Sequence, residues 1–325
     1  MPLPAQRVLA RVRAAADPRA TVELYGSSVY AAAHAGDVDV FVENDDAARL
    51  ANVLGLEHLP TTPPRLHGVL EDTPVDITVV NGNDDIARRA RSGPRDAALL
   101  AAFVRERDDA FQAAWPHVRH FVRARALGHN GLGWFGSFGW ALLLAIPLVT
   151  DRELRAAPAG AVIPAWLRWL SRLSVGTRIS FEGVRADTEP LFLVAPSPPV
   201  RDVARISKRT ALALIAEARA AVAAITDGAT DAAIARIGDL ADSPPAGTTL
   251  VISGDDEHSR GRYDGTARGL LRELEPLGAI RSWGRFDRTA DGWQHRITVP
   301  AHKAIGARDI IETWLGQASI DASLE

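Results

Sequence analysis

The sequence has no cysteine, which excludes disulfides and thiolate metal sites. It also has no charge excess: 37 Lys and Arg stand against 40 Asp and Glu, for a formal net charge of −3. No global basic field advertises a polyanionic partner, so any contact with nucleic acid has to be local. The longest apolar stretch, GWALLLAIPLV at 139–149, is well short of the roughly 20 residues that cross a bilayer, and a proline sits inside it. A buried helix is expected there, and no membrane partner. Nine histidines are scattered without a ligand pair at useful spacing, so no zinc site is expected. The start, MPLPAQRVLARVRAAADP, lacks the apolar core of a secretory signal, and the expected compartment is the cytoplasm. Internal repeats are absent, and beyond an alanine bias that suits helices there is no low-complexity tract.

What is present is a chain of 325 residues, 47% apolar, enough to bury a sizeable core and to predict two or three domains. Residues 4–16 have amphipathic helical spacing, TVELYG alternates like a strand running into a Gly turn, and DVDVFVE alternates again. Helical spacing returns at 45–54 after an Asp cap, and HGVLEDTPVDITVVNG reads as two strands with a turn at Thr73-Pro74. The expected first domain, 1–95, is therefore α+β. From about Asp96 the texture changes to long Ala/Leu/Arg helices, RDAALLAAFVRERDDAFQAAWPHVRHFVRARAL and later SKRTALALIAEARAAVAAI, so a helical domain is expected over 96–243. Pro244, Pro245 and Gly247 mark a linker. After it TTLVISG, TARGLLRELEPLG, IRSWGRFD, WQHRITVP and ARDIIETWLG alternate strand and helix, a small α/β sandwich over 246–325.

The chemistry is concentrated in YGSSVYAAAHAGDVDVFVE, residues 25–43. Side chains two apart on a strand share a face, so Asp37 and Asp39 point the same way while Val38, Val40 and Val42 turn to the core. Neighbouring carboxylates repel and raise one another's pKa unless a cation shares them. Mg²⁺ or Mn²⁺ suits such a pair, since it takes one or two carboxylates and completes its shell with water and substrate phosphates. Asp76 in TPVDITVV is the candidate third acid that completes a two-metal site for in-line phosphoryl chemistry. The Gly26-Ser27-Ser28 bend offers backbone N–H groups and hydroxyls to phosphate. Taken alone, an Asp-x-Asp is more often a solvated strand face than a metal site; it gains weight from the bend before it and the acid after it.

Those residues resemble the signature of the DNA polymerase β-like nucleotidyltransferase superfamily: Gly-Gly/Ser, a short gap, Asp-x-Asp, and a later Asp on a strand. RHFVRARALGHNGLGWFGSFGWALLLAIPLV is similar to the helix and Gly-rich turn of eukaryotic poly(A) polymerases. LFLVAPSPPVRDVARISKRT resembles both a poly(A) polymerase segment and the Asp-Pro-x-Asp-Pro-x-Arg-Asn-Val-Ala stretch of class I (archaeal) CCA-adding enzymes. The resemblance covers roughly residues 20–225 and implies an α+β fold: a nucleotidyltransferase palm with a mixed sheet, a central helical domain, and an RRM-like RNA-binding sandwich. It implies that Asp37, Asp39 and Asp76 hold the metals and that Gly26 and Ser27 line the triphosphate. Asp76 would also help take the proton of the attacking hydroxyl. Arg119 falls where the family has its triphosphate-binding lysine, Asn130 on a family asparagine, Gly136 and Ser137 on two glycines beside the base, and Arg201 on the arginine of the CCA-type stretch. Gly128 replaces the family's tyrosine, a departure that His129 compensates only weakly.

From the residues alone some of these stay open. Arg119 and Arg123 read equally as the polar stripe of a helix, and Arg201, Arg205, Lys208 and Arg209 as a solvated helix start or a positive patch. Gly131, Gly133, Gly136 and Gly139 suit close helix packing, and Trp134 and Trp140 suit the core. The function implied is template-independent transfer of NMP, AMP first, from an NTP to an RNA 3′-hydroxyl. CCA addition ranks second, because its enzymes carry a further tail domain for which 325 residues leave little room. The same catalytic head serves antibiotic nucleotidyltransferases, tRNA-modifying toxins and synthetases of oligonucleotide messengers. A non-catalytic RNA-binding derivative is the remaining class, and the oligomeric state is not written in the sequence.

Overall fold

The computed structural model describes residues 4–31, 37–125, 127–128, 134–188, 190–197, 202–226, 247–277, 281–283 and 292–325. The N-terminal unit comprises α1 (Pro4–Ala15), β1 (Thr21–Leu24), α2 (Ser27–Tyr30), β2 (Val38–Glu43), α3 (Ala47–Leu54), β3 (Glu57–Leu59), β4 (Arg65–Leu70), β5 (Thr73–Val80) and α4 (Asp85–Phe103). Its sheet has the order β1-β2-β5-β4-β3, with β2 and β5 parallel and the other neighbours antiparallel.

Alternation along the strands sorts the two faces. Val38, Val40 and Val42 of β2 and Val75, Ile77 and Val79 of β5 form one core with Val8 and Val12 of α1 and Leu50 of α3. The opposite face carries Asp39 and Phe41, and Phe41 meets Val80 and Ala87. As the sequence predicts, α3 starts on Asp46, whose side chain accepts from Arg49 N at 2.9 Å, and it stops at Gly55 with φ 68°. The hairpin differs from expectation: its turn lies at Glu71-Asp72, with φ of 50° and 60°. Thr73 and Pro74 already pair with Leu70 and Val69, because a proline is tolerated at the start of a strand and does not have to mark the turn. Helix α4 runs through the boundary expected at 95/96, with Pro94 buried inside it.

The middle of the chain holds α5 (Asp108–Ala124), α6 (Ser137–Thr150), α7 (Arg152–Ala156), α8 (Val162–Arg172) and α9 (Lys208–Thr226). Every residue of α6 from Gly139 to Leu148 is buried, the buried helix expected of that apolar run. Trp134 and Trp140 are core residues, and Trp140 Nε1 donates to the Leu127 carbonyl at 3.3 Å. The helical middle also contains a sheet that the sequence did not announce. The strands β6 (Thr177–Ser180), β7 (Gly183–Ala186), β8 (Leu191–Val194) and β9 (Asp202–Ile206) form a sheet ordered β7-β6-β8-β9. Each is only four or five residues long, too short to leave a periodic signal beside long Ala-rich helices.

The C-terminal unit is β10 (Thr248–Gly254), α10 (Glu257–Leu274), β11 (Arg281–Trp283), β12 (Trp293–Val299), α11 (Ala304–Gln317) and β13 (Ser323–Leu324). Its antiparallel sheet, β11-β12-β10-β13, is the split βαββαβ arrangement of the expected RRM-like sandwich. Trp293 and His295 of β12 are buried, and Trp293 packs on Tyr263 of α10 with ring centroids 4.8 Å apart. The open face of β10 and β12 therefore displays Val251, Ser253, Gln294 and Arg296 and no aromatic ring. Among the described residues no helix is long and apolar enough to cross a membrane.

Candidate active site

Two segments bring the acids together. The parallel pairing of β2 with β5 sets Asp39 directly opposite Asp76, and Asp37 stands exposed immediately before β2. One carboxylate oxygen from each of the three lies within 4.8 Å of the others. The bend after β1 closes over them: Tyr25 N donates to the Asp39 carbonyl at 3.1 Å, and Gly26 follows with φ 64°. Tyr25 Oη is anchored on Thr78 Oγ1 of β5 at 2.8 Å, across β2.

Crowding three carboxylates in a half-buried space has electrostatic consequences. Burial, then Asp37, then Asp76 push the Asp39 carboxyl up to about 7, against the opposing pull of Arg65. Asp76 is also raised, mainly by burial, with Arg65 opposing. Its Oδ2 accepts from Arg65 Nη1 at 3.1 Å, while its Oδ1 is buried with no hydrogen-bond partner. An orphaned carboxylate oxygen facing two further acids is the donor set of a hard divalent cation, so these residues fit Mg²⁺ or Mn²⁺.

Beside the acids opens a cavity of about 430 Å³. Asp37, Asp39, Gly26 and Ser27 form one wall; Arg119 of α5 and Ser137 of α6 stand in another. Arg119 is half-buried, and its pKa is lowered by burial and by Arg123 while Tyr30 and Asp37 act the other way. Tyr30, Trp115 and Phe138 supply an aromatic wall, with Tyr30 lying 6.0 Å from Trp115 and 6.2 Å from Phe138 between ring centroids. Burial, and secondarily Asp39, raise the Tyr30 phenol, so it stays protonated.

The remaining expected residues fall elsewhere. Ser28 turns to the back of α2, where it lines a second cavity of about 510 Å³ with Val38 and Pro74, and its Oγ is buried without a partner. Gly136 caps α6 next to the cleft without lining it, and a Cβ there would meet no atom of the described residues within 4 Å. Asn130 and Arg201 lie outside the described residues, as does His129. Sequence reasoning missed the aromatic wall of Tyr30, Trp115 and Phe138, and it missed one charged lining residue, Asp96. Asp96 is 3% exposed, and its Oδ1 accepts from Ser197 N at 3.0 Å and from Ser197 Oγ. A lone acid in an Ala/Leu helix carries no local signal; only the approach of residue 197 to α4 reveals it.

The sequence matches no protein-family model and no curated protein. Solved structures are similar, however. Cid1 in complex with the UTP analogue UMPNPP gives a TM-score of 0.55 at 15% identity, covering 70% of this chain and 90% of that one. Cid1 with its short product ApU gives 0.54 at 15% identity, over 71% of this chain and 89% of that one. A mutant of the Cid1 poly(U) polymerase bound to MgATP gives 0.55 at 15% identity, over 70% and 91%. At this identity the likeness is one of fold, and the chain shares the fold of those structures over the part they cover.

Proposed function

We propose that this chain is a divalent-metal-dependent, template-independent RNA nucleotidyltransferase. It transfers a nucleoside monophosphate from an NTP to an RNA 3′-hydroxyl and releases pyrophosphate. The observation that carries this reading is the in-register pair Asp39 and Asp76 on parallel strands, with Asp37 beside them at the mouth of a cleft containing Arg119. The fold shared with Cid1, a protein described as an RNA terminal uridylyl transferase, supports it.

Asp37, Asp39 and Asp76 would hold two metal ions, which would supply Lewis-acid charge and orientation to the reacting phosphate. Gly26 and Ser27 receive the triphosphate through backbone N–H and hydroxyl groups, and Arg119 adds a guanidinium contact from the facing helix. Tyr30, Trp115 and Phe138 keep water from the cleft and flank the nucleotide. Asp96, held by Ser197, braces α4 at the wall of the cleft. Asp76, with one oxygen unengaged and a raised pKa, takes the proton of the attacking hydroxyl. Most of the rate gain comes from positioning and charge. The open face of β10 and β12, with Gln294 and Arg296, offers polar groups to RNA.

The donor is ATP on the resemblance to poly(A) polymerases; UTP is the second reading, favoured by the fold shared with a poly(U) polymerase. Incubation with Mg²⁺, each labelled NTP and a short RNA separates the cases. Extension by ATP alone supports adenylyl transfer, and preference for UTP supports the second reading. Addition of three nucleotides ending in CCA identifies the CCA-adding alternative. No RNA product with any NTP rejects the proposal and leaves transfer to a small molecule or a non-catalytic role.

A further inference from the structure

We infer that Arg65 is the subsite for the phosphodiester that precedes the 3′-terminal nucleoside of the acceptor strand. This rests on the nucleotidyltransferase reading above. The cleft that receives the nucleotide is lined by Asp37 and Asp39 but not by Asp76. In the sheet order β1-β2-β5-β4-β3, the Gly26 bend follows β1 on one flank of the three acids, while β4 and β3 lie on the other. An in-line displacement needs the attacking oxygen opposite the departing pyrophosphate. With the triphosphate held by Gly26, Ser27 and Arg119, the hydroxyl arrives from the Asp76 flank, across β4.

Few side chains are available there. Residues opposite one another on neighbouring strands share a face, so His67, paired with Asp76, and Arg65, paired with Thr78, stand on the same face as the acids. Both are exposed. On β3, Glu57 pairs with His67 and places a carboxylate beyond Arg65 on this face, so the subsite holds one linkage and not a long strand. The Arg65 side chain is 48% exposed. Its Nη1 donates to Asp76 Oδ2 at 3.1 Å, while Nε and Nη2 make no hydrogen bond to the described residues. A guanidinium is a rigid fork whose edges can serve two oxyanions at once. Arg65 thus keeps one edge on Asp76 and gives the other to the terminal phosphodiester, which ties the position of the acceptor backbone to the carboxylate facing its 3′-hydroxyl. As a mere surface ion pair, Arg65 would add little to stability and nothing to acceptor binding.

The test uses the full chain, its Arg65→Ala and Arg65→Lys variants, and a labelled oligoadenylate. KM for RNA and KM for NTP are measured separately with Mg²⁺, and fluorescence anisotropy follows a 3′-deoxy-terminated RNA with Ca²⁺ in place of Mg²⁺. Arg65→Ala should raise the RNA KM and the anisotropy Kd about tenfold, the effect of losing one charge-assisted contact. NTP KM should stay as in the parent, and Arg65→Lys should recover part of the loss. The advantage of the dinucleotide ApA over adenosine as acceptor should vanish in Arg65→Ala. If the parent extends RNA while Arg65→Ala leaves RNA KM and Kd unchanged, or raises the NTP KM equally, this inference alone is overturned. A parent that extends no RNA with any NTP overturns it together with the proposed function.

Discussion

Gly26 lies directly against the carboxylate of Asp39: a Cβ at position 26 would stand 2.1 Å from Asp39 Oδ2. The same residue has φ 64°, a conformation that L side chains adopt only under strain. Two independent demands therefore meet at one position. The chain has to leave β1 sharply enough for the bend to cover the acids, and under the proposed function it has to leave their oxygens room for a cation and a phosphate.

Gly26→Ala should be destabilised by about 1–3 kcal/mol, the usual cost of a strained backbone position, and should lose activity more than stability because Asp39 is displaced. Urea unfolding together with nucleotide incorporation measures both. Parent-like incorporation would mean that the bend has no part in the site.

Asp37→Ala and Asp39→Ala should each reduce nucleotide incorporation on the order of a thousandfold, as loss of a main electrostatic element of catalysis does. Circular dichroism should be unchanged, since neither side chain holds the core together. Appreciable turnover by either variant would remove the metal site from the proposal.

The Asp39 carboxyl is raised from 3.8 to about 7 in the folded chain, so the folded state binds its proton more tightly than the unfolded one. Its contribution to stability is fully present below pH 3.8 and is lost as pH rises through 7. Asp39→Asn should therefore match the parent Tm near pH 4 and exceed it increasingly toward pH 8 in EDTA. Adding Mg²⁺ at pH 8 should raise the Tm of the parent and not of the variant. A Tm difference independent of pH would show that Asp39 is not strained by its neighbours.

Arg119→Ala should raise the NTP KM about tenfold with a smaller fall in kcat, the signature of a lost contact present before and during reaction. Steady-state titration of the NTP at saturating RNA reads it. An unaltered KM returns Arg119 to the polar stripe of α5.

Much of the site was legible because its logic is local. Asp37 and Asp39 share a face by strand alternation, Gly26 announces a bend, and the Asp46 cap and the apolar run of α6 follow from rules that act within one or two turns. The misreadings share a cause as well. Thr73-Pro74 looked like a turn, yet the ladder with Leu70 and Val69 absorbs the proline, while the short strands β6 to β9 exist only because they pair with one another.

Alternating valines and a glycine ahead of Asp37 and Asp39 are enough to determine a half-buried strand with an acidic face, because side-chain direction along a strand depends on the backbone alone. Which groups join that face was decided by tertiary structure. The register of β5 on β2 brings Asp76 to Asp39, that of β4 on β5 brings Arg65 to Asp76, and the approach of residue 197 to α4 buries Asp96 in the cleft. Register and helix docking minimise the free energy of the whole core, so residues far apart in the chain meet only through packing that no short window of sequence contains.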